Sequence, residues 1–360
     1  MCSFELRGKT MDGIVESDGG KALRALERRT LPVLDVGPAL TGDKAAVRAL
    51  AEQWREVWQT IGFMCIVNHG VPAELIADME AAAKRFHGLP HDVKMRIPIN
   101  AHMKGYTPAH ASVSTKSKFH ENRKLDTVEC LVVASDYGDD NPHVQAGEAF
   151  YGNMPWLSEQ IIPGFRATTE TYMETVTALG KKLLPVWALS LDLDEDYFGP
   201  LFEDNYTYFR VAKYPPKPDL EPGEMGVNAH ADTGFMTFLP PANEEGLQVL
   251  DTDGTWFWPE LPADAMIVNA GQFLERWAND RFRATPHRVV PPVKADRYSL
   301  ACFVNPSFEA VSDCLPTCTG PGNPPKYPSQ TYLEFFSWYM TNAFTHYGKF
   351  EVVDGKAVEG

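Results

Sequence analysis

The sequence predicts a mainly β protein with flanking helices: a helical N-terminal half, then a jelly-roll core, then a C-terminal helix. The first observation is a series of short apolar segments after residue 200, each bounded by glycine, proline or other turn residues. The second is the helical spacing of apolar residues in several stretches before residue 200. Many short strands separated by turns are typical of two sheets that pack together and enclose a pocket.

Strands and helices alternate at the start of the chain. Residues 31–36 and 63–67 are apolar runs that end in turn residues, which predicts two short strands. Over residues 44–61 and 75–86, apolar side chains recur three or four positions apart, which predicts two amphipathic helices. We expect these helices to pack on the barrel.

The stretch from 88 to 160 is the least regular part of the chain. We interpret its basic run as a solvated charged face, with contact to an anionic group as the alternative; the run consists of Lys116, Lys118, Arg123 and Lys124. A long helix over 165–187 is predicted next. Pro185 is expected to kink or reset that helix, because proline lacks an amide donor.

The C-terminal half has the strand pattern throughout. Predicted strands are 206–214, 235–239, 247–250, 255–258, 265–268, 287–290 and 298–304. Asp253 and Gly254 form a strong hairpin signal, and aromatic residues at 332–339 predict a final helix. We therefore divide the chain into a polar leader (1–30), a mainly helical region that packs on the barrel (31–200), and a jelly-roll region with a C-terminal helix (201–360).

Composition excludes some partners. The chain has 33 basic and 48 acidic residues, a net charge of −15, and no basic stripe that would favour nucleic acid. No apolar run is long enough to cross a bilayer, and the N-terminus does not look like a signal peptide. We expect a cytoplasmic protein whose six cysteines are unpaired, Cys314 and Cys318 included.

Three residues form a candidate metal centre. In an extended segment His230 and Asp232 project from the same side, because successive side chains alternate between faces. With His287 they provide two imidazoles and a carboxylate, the ligand set of non-haem Fe(II) oxygenases. Arg297 and Ser299 share a face by the same argument and offer a guanidinium and a hydroxyl to one small anion.

Further motifs surround these residues and cover most of the chain. They are Leu-Pro-Val-Leu-Asp at 31–35, Gly-Phe at 62–63, Asn-His-Gly-Val-Pro at 68–72, Tyr-Pro-Pro at 214–216, His-Ala-Asp-Thr at 230–233, Ala-Thr-Pro-His-Arg-Val at 284–289 and Arg-Tyr-Ser at 297–299. In identity and order they resemble the isopenicillin N synthase-like family of Fe(II) and 2-oxoglutarate-dependent oxygenases. The resemblance implies a double-stranded β-helix and a reaction of O2 in which 2-oxoglutarate becomes succinate and CO2. A small-molecule substrate would be hydroxylated, desaturated or cyclised.

The resemblance also implies roles for individual residues. Tyr214 would join Arg297 and Ser299 in binding 2-oxoglutarate, although plant members often carry asparagine where this chain has Ala212. His69 corresponds to a structural turn in the family and is not a predicted ligand.

Candidate substrate contacts come from two segments. Tyr106 lies in a Lys-Gly-Tyr segment similar to the family's Arg-Gly-Tyr, while Phe303 and Asn305 follow Ser299.

Two other functions remain open. One is an isopenicillin N synthase-type oxidase that uses the same elements without 2-oxoglutarate. The other is a metal-binding barrel that binds a ligand without turnover.

Overall fold

The computed structural model describes residues 19–111, 124–343, 350–353 and 356–359. The helices are α1 (Gly19–Arg24), α2 (Gly37–Leu40), α3 (Lys44–Gln59), α4 (Ala73–His87), α5 (His91–Lys94), α6 (Pro142–Gln145), α7 (Phe165–Ser190), α8 (Gln272–Trp277) and α9 (Tyr332–Ala343). The strands are β1 (Arg28–Thr30), β2 (Val33–Asp35), β3 (Phe63–Val67), β4 (Gly105–Thr107), β5 (Glu129–Ala134), β6 (Tyr206–Tyr214), β7 (Val227–His230), β8 (Met236–Leu239), β9 (Leu247–Leu250), β10 (Trp256–Glu260), β11 (Met266–Ala270), β12 (His287–Val289), β13 (Arg297–Asn305), β14 (Phe350–Val353) and β15 (Lys356–Glu359).

Two sheets form the core, which confirms the predicted jelly roll with flanking helices. The larger has eight strands in the order β2-β3-β11-β8-β13-β6-β5-β4, and the smaller has five in the order β1-β10-β9-β12-β7. The predicted hairpin joins β9 to β10, with Gly254 at a φ of 82°. A left-handed conformation at this position suits glycine, which has no Cβ to clash.

Apolar side chains join the two sheets at two places. One cluster includes Phe63 and Ile267 of the large sheet and Val249 of the small sheet. The other includes Tyr214 of the large sheet and Val289 of the small sheet. The candidate site lies in the interior between the two sheets.

Helices α3, α4 and α7 cover the large sheet. Helix α3 begins where the Asp43 side chain accepts hydrogen bonds from two backbone amides of the first turn, an N-cap. Its Trp58 stacks on Trp187 of α7, with ring centroids 4.7 Å apart. Helix α7 continues through Pro185 to Ser190, so the proline does not end it.

The region before residue 200 contributes more strand than the sequence indicates. Strand β5 pairs with β6, and β4 pairs with β5, so residues 105–107 and 129–134 extend the large sheet. The alternating pattern is missing from β5 because five of its six residues are buried. The large sheet therefore includes strands from both sides of residue 200.

The last part of the predicted leader, residues 1–30, contacts the small sheet. Residues 28–30 form a strand that pairs in parallel with β10, and Leu26 packs against two apolar clusters on the small sheet. Residues 1–18 lie outside the described residues, as do Lys116, Lys118 and Arg123 of the basic run. Lys124 pairs with Glu221 at 2.9 Å.

Within the described part of the chain, no helix combines the length and the apolar character needed to cross a bilayer. The described cysteines, Cys314 and Cys318 among them, are free thiols, as expected.

Candidate active site and metal centre

His230 and His287 face each other across two neighbouring strands of the small sheet. His230 is the last residue of β7, His287 is the first of β12, and the two are paired in register. Their ring centroids lie 4.4 Å apart. Asp232 does not continue the strand but lies in the loop that follows β7.

These three side chains converge on one point. Asp232 Oδ1 lies 3.7 Å from His230 Nε2 and 3.6 Å from His287 Nε2. One ligand atom from each residue lies within 4.8 Å of the others, and this is the metal-type cluster found among the described residues. Two nitrogens and one oxygen at these separations suit a divalent transition metal such as Fe(II).

Backbone carbonyls fix the orientation of both histidines. His230 Nδ1 lies 2.9 Å from the carbonyl oxygen of Asn228, and His287 Nδ1 lies 3.2 Å from that of Thr285. A proton on each Nδ1 satisfies these hydrogen bonds and leaves the Nε2 lone pairs free. Such a bond on the far ring nitrogen is the usual way in which proteins aim a metal-binding histidine.

Asp232 is held through its other oxygen. The Thr237 hydroxyl and the Asn269 amide each donate to Asp232 Oδ2 at 2.6 Å. Both donors come from neighbouring strands of the large sheet, β8 and β11, so the carboxylate bridges the interior. Oδ1 is therefore the oxygen presented to the two histidines.

Helix α8 holds the loop that carries Asp232. The Gln272 amide donates to the Asp232 carbonyl at 2.7 Å, and the Phe273 amide donates to the Thr233 carbonyl at 3.0 Å. The Gln272 side chain donates to the Ala231 carbonyl at 2.9 Å. The free amides at the start of the helix thus fix a segment that has no sheet partner of its own.

Burial controls the charges of this centre. Burial, together with repulsion from His287, lowers the pKa of His230 to about 3. Burial alone would raise the pKa of Asp232, but the two histidines and the donors on Oδ2 hold it below its ordinary value. A neutral imidazole beside an ionised carboxylate is the protonation state that binds a metal ion.

Arg297 lies at the start of β13, directly opposite Tyr214 on β6. Its side chain is 3% exposed, its Nε donates to the Glu244 carbonyl at 3.1 Å, and its guanidinium carbon lies 5.1 Å from the centre of the Tyr214 ring. Its Nη1 is buried and has no hydrogen-bond partner among the described residues. A buried guanidinium nitrogen of this kind favours the binding of an anion, because an uncompensated buried charge destabilises the folded protein.

One cavity brings the predicted residues together. It is lined by both histidines, Asp232, and the three residues expected to bind 2-oxoglutarate, Arg297, Ser299 and Tyr214. Ala212 lies on its wall opposite Ser299 and offers no polar side chain there. Phe303, a predicted substrate contact, also lines it.

Tyr106 and Asn305, the other two predicted substrate contacts, are not among the residues that line the cavity. The Tyr106 hydroxyl donates to Glu129 in a buried polar cluster next to α4. Asn305 Oδ1 accepts a hydrogen bond from the Phe235 amide at 2.9 Å, so this side chain supports the chain after Asp232. His69 accepts a hydrogen bond from the Val71 amide within its turn, as expected of a structural residue.

Sequence reasoning did not identify Thr237, Asn269 or Arg210, which all line the same cavity. Arg210 precedes Ala212 and Tyr214 at alternate positions of β6, so the period of two that places Tyr214 inward also places Arg210 inward. No comparable sequence signal exists for Thr237 and Asn269, because their role depends on contact between separate strands.

The geometry agrees with comparisons to known proteins. Residues 31–159 match the family model described as non-haem dioxygenase in morphine synthesis N-terminal, and residues 205–306 match that of the 2OG-Fe(II) oxygenase superfamily. The 2-oxoglutarate-Fe(II) type oxidoreductase hxnY of Emericella nidulans is 35% identical over 308 residues, which cover 83% of this chain and 86% of that protein. Kihadalactone A synthase LFS of Citrus sinensis is 33% identical, over 82% of this chain and 88% of its own length.

A solved structure shows the same fold. A 2OG-Fe(II) oxygenase family protein from Caulobacter crescentus superposes with a TM-score of 0.73 at 26% identity, and the alignment covers 87% of this chain and 99% of that one. The site geometry, the family models and the relatives agree. This chain belongs to the 2OG-Fe(II) oxygenases of the isopenicillin N synthase-like superfamily, enzymes that use Fe(II), 2-oxoglutarate and O2.

Proposed function

We propose that His230, Asp232 and His287 hold the Fe(II) of a dioxygenase that oxidises a small organic molecule. The convergence of three ligand atoms within 4.8 Å carries this proposal. Three protein ligands leave open positions on the metal for a co-substrate and O2. When bound, Fe(II) supplies O2 activation coupled to the decarboxylation of 2-oxoglutarate, which permits oxidation of an unactivated C–H bond.

The chain's own residues then position the co-substrate. Arg297 would bind the distal carboxylate of 2-oxoglutarate through its unpartnered Nη1, and Ser299 would add a hydroxyl donor from the next inward position of β13. The Tyr214 ring packs against the guanidinium and keeps it facing the cavity. Burial of Arg297 strengthens this contact, since water does not compete for the charge.

The substrate belongs to the same cavity, next to Phe303. The relatives named as oxidoreductases and as kihadalactone A synthase support a small organic substrate and a role in secondary metabolism. We also propose a cytosolic location, supported by the free thiols of Cys65, Cys130, Cys302, Cys314 and Cys318.

Arg297→Leu tests the co-substrate assignment. We expect the purified variant to retain iron while its KM for 2-oxoglutarate rises about ten- to hundredfold, the usual effect of losing a hydrogen bond to a charged group. Succinate formation and iron content are the two measurements. Arg96→Leu, at an exposed position on the surface, is the matched control and should behave as the wild type does.

The alternative of an oxidase that does not use 2-oxoglutarate makes a different prediction. Its O2 consumption would be indifferent to added 2-oxoglutarate, and Arg297→Leu would leave that indifference unchanged. A barrel that only binds a ligand would show no turnover in either protein.

A further inference from the structure

The inward side chains of β6 and β13 form a ladder along one wall of the cavity. In register, the facing pairs are Tyr214 with Arg297, Ala212 with Ser299, Arg210 with Ala301, and Tyr208 with Phe303. Seven of these eight residues line the cavity, and the eighth, Tyr208, stacks on Phe303 with 4.2 Å between the ring centroids. The wall therefore carries a guanidinium near each end.

The two guanidiniums are too far apart to bind the same small carboxylate group. Tyr214 pairs with Arg297, and Arg210 lies four residues before Tyr214 on β6. Four residues span roughly 13 Å along a strand. The step formed by Ala212 and Ser299 lies between them. A co-substrate carboxylate bound at Arg297 thus leaves Arg210 beside the aromatic pair of Tyr208 and Phe303.

The surroundings of Arg210 hold it in place. Its Nε lies 3.5 Å from the Cys130 sulfur. Burial raises the pKa of Asp126 and that of Tyr208, and the positive charge of Arg210 opposes both rises. Asp126 accepts two hydrogen bonds from Asn228, at 3.1 Å and 2.7 Å. Despite these bonds, burial raises the pKa of Asp126 to about 7.

Among the described residues, the cavity lining contains two arginines, Arg210 and Arg297, and one acidic residue, Asp232. In the proposed function 2-oxoglutarate takes up the charge of Arg297, and Arg210 is the second cation on the cavity wall. An arginine on the wall of a cavity between two sheets favours a ligand group of opposite charge.

We propose that the substrate is an organic anion, a carboxylate attached to an apolar body, which pairs with Arg210 while its body packs on Phe303. This inference rests on the proposed function, because it takes the Arg297 end of the cavity to be occupied by 2-oxoglutarate. It assigns Arg210 as the residue that selects the substrate's charge.

Matched acids and amides test this directly. Phenylacetate, 4-phenylbutanoate and their primary amides are added anaerobically to the protein loaded with Fe(II) and 2-oxoglutarate, and binding is followed by the perturbation of its visible absorption. We expect the acids to bind more tightly than the amides in the wild type. In Arg210→Gln, affinity for the acids should fall about ten- to hundredfold, with little change for the amides.

Two further variants sharpen the result. Arg210→Lys keeps the charge and should restore part of the preference for acids, whereas Arg166→Gln, at an exposed residue of α7 paired with Glu170, should leave it unchanged. Equal binding of acids and amides, no response to the acids, or an unchanged preference in Arg210→Gln overturns the inference. If the visible band itself fails to form with Fe(II) and 2-oxoglutarate, the proposed function has failed instead.

Discussion

Asp232 presents one oxygen to the metal site because its other oxygen is occupied by two donors. Thr237 and Asn269 both donate to Oδ2, and all three residues are buried. A carboxylate restrained in this way keeps its orientation when the site is empty, so little ordering is needed when a metal binds. Hydrogen bonds of this kind typically change metal affinity by about 10- to 100-fold.

Thr237→Val should therefore weaken Fe(II) binding by about tenfold or more without removing a ligand. Competition with a chelator measures the dissociation constant. Thr175→Val is the matched control, since that hydroxyl bonds only a carbonyl on the exposed face of α7. Identical iron affinity in both variants and the wild type would show that the bond to Oδ2 is dispensable.

Gly246 determines where the Arg297 side chain can lie. A Cβ at Gly246 would come within 2.7 Å of Arg297 Cδ and 2.8 Å of its Nε. Because the arginine is the flexible partner, Gly246→Ala should displace the guanidinium and raise the KM for 2-oxoglutarate several-fold, with iron binding intact. In steady-state kinetics, Gly320→Ala should have no effect, as a Cβ there meets nothing within 4 Å. Equal KM values for the two variants would contradict the assignment.

The residues that could be predicted from the sequence are those with a pattern of their own. His230, Asp232, His287, Arg297 and Ser299 follow from spacing and residue type, and the structure gathers them around one cavity. Thr237 and Asn269 could not be predicted, because their partner is distant in sequence. The resemblance of the Tyr106 segment to a family motif does not indicate the direction of the side chain, whose hydroxyl donates to Glu129.

Helix α7 supports the site from outside the barrel. Its Trp187 is fully buried, stacks on Trp58 and lies 5.4 Å from Phe235, which follows the Asp232 loop. Trp187→Ala would leave a large cavity at this contact. We expect it to destabilise the protein by about 3–5 kcal/mol.

Chemical denaturation of the iron-free protein measures this effect. Trp338→Ala is the control, because that side chain is 58% exposed on α9 and its removal leaves no cavity. A loss of stability at Trp338 equal to that at Trp187 would mean that the tryptophan cluster does not anchor the helical layer.

Elements with a local sequence pattern could be predicted from the sequence, and elements that depend on distant pairing could not. The periodicity of α3, α4 and α7 indicates each helix, and the Asp253-Gly254 turn signal indicates the hairpin. Strand β5 was not predicted; it lies in the irregular stretch 88–160, and its pairing with β6 joins positions about 80 residues apart. Strand β1 has only three residues, and its pairing with β10 joins positions about 230 residues apart, which no local pattern reports.

Across the whole molecule, Asp126 links pH to stability. Its pKa is about 7 in the folded protein against an ordinary value of 3.8, so the folded state favours the protonated carboxyl. The stability that this proton supplies is fully present below pH 3.8 and is lost as the pH rises through about 7. Asp126→Asn mimics the neutral form and should remove this fall.

Urea unfolding of wild type and Asp126→Asn at a series of pH values measures that difference. The two stabilities should converge towards low pH, and the variant should gain relative to the wild type as the pH rises towards 7. Asp140→Asn, at an exposed carboxylate, should follow the wild type at every pH. Parallel curves for wild type and Asp126→Asn would show that this carboxyl titrates normally.

The assignment of iron and co-substrate is tested most directly by anaerobic titration of the metal-free protein with Fe(II) and 2-oxoglutarate, followed by visible absorption. We expect a charge-transfer band that requires both components at one equivalent each. It should be absent from Asp232→Ala and His287→Ala, and in Arg297→Leu it should need more 2-oxoglutarate at an unchanged iron content. A band of full intensity in Asp232→Ala, or no band in the wild type, would contradict the site described above.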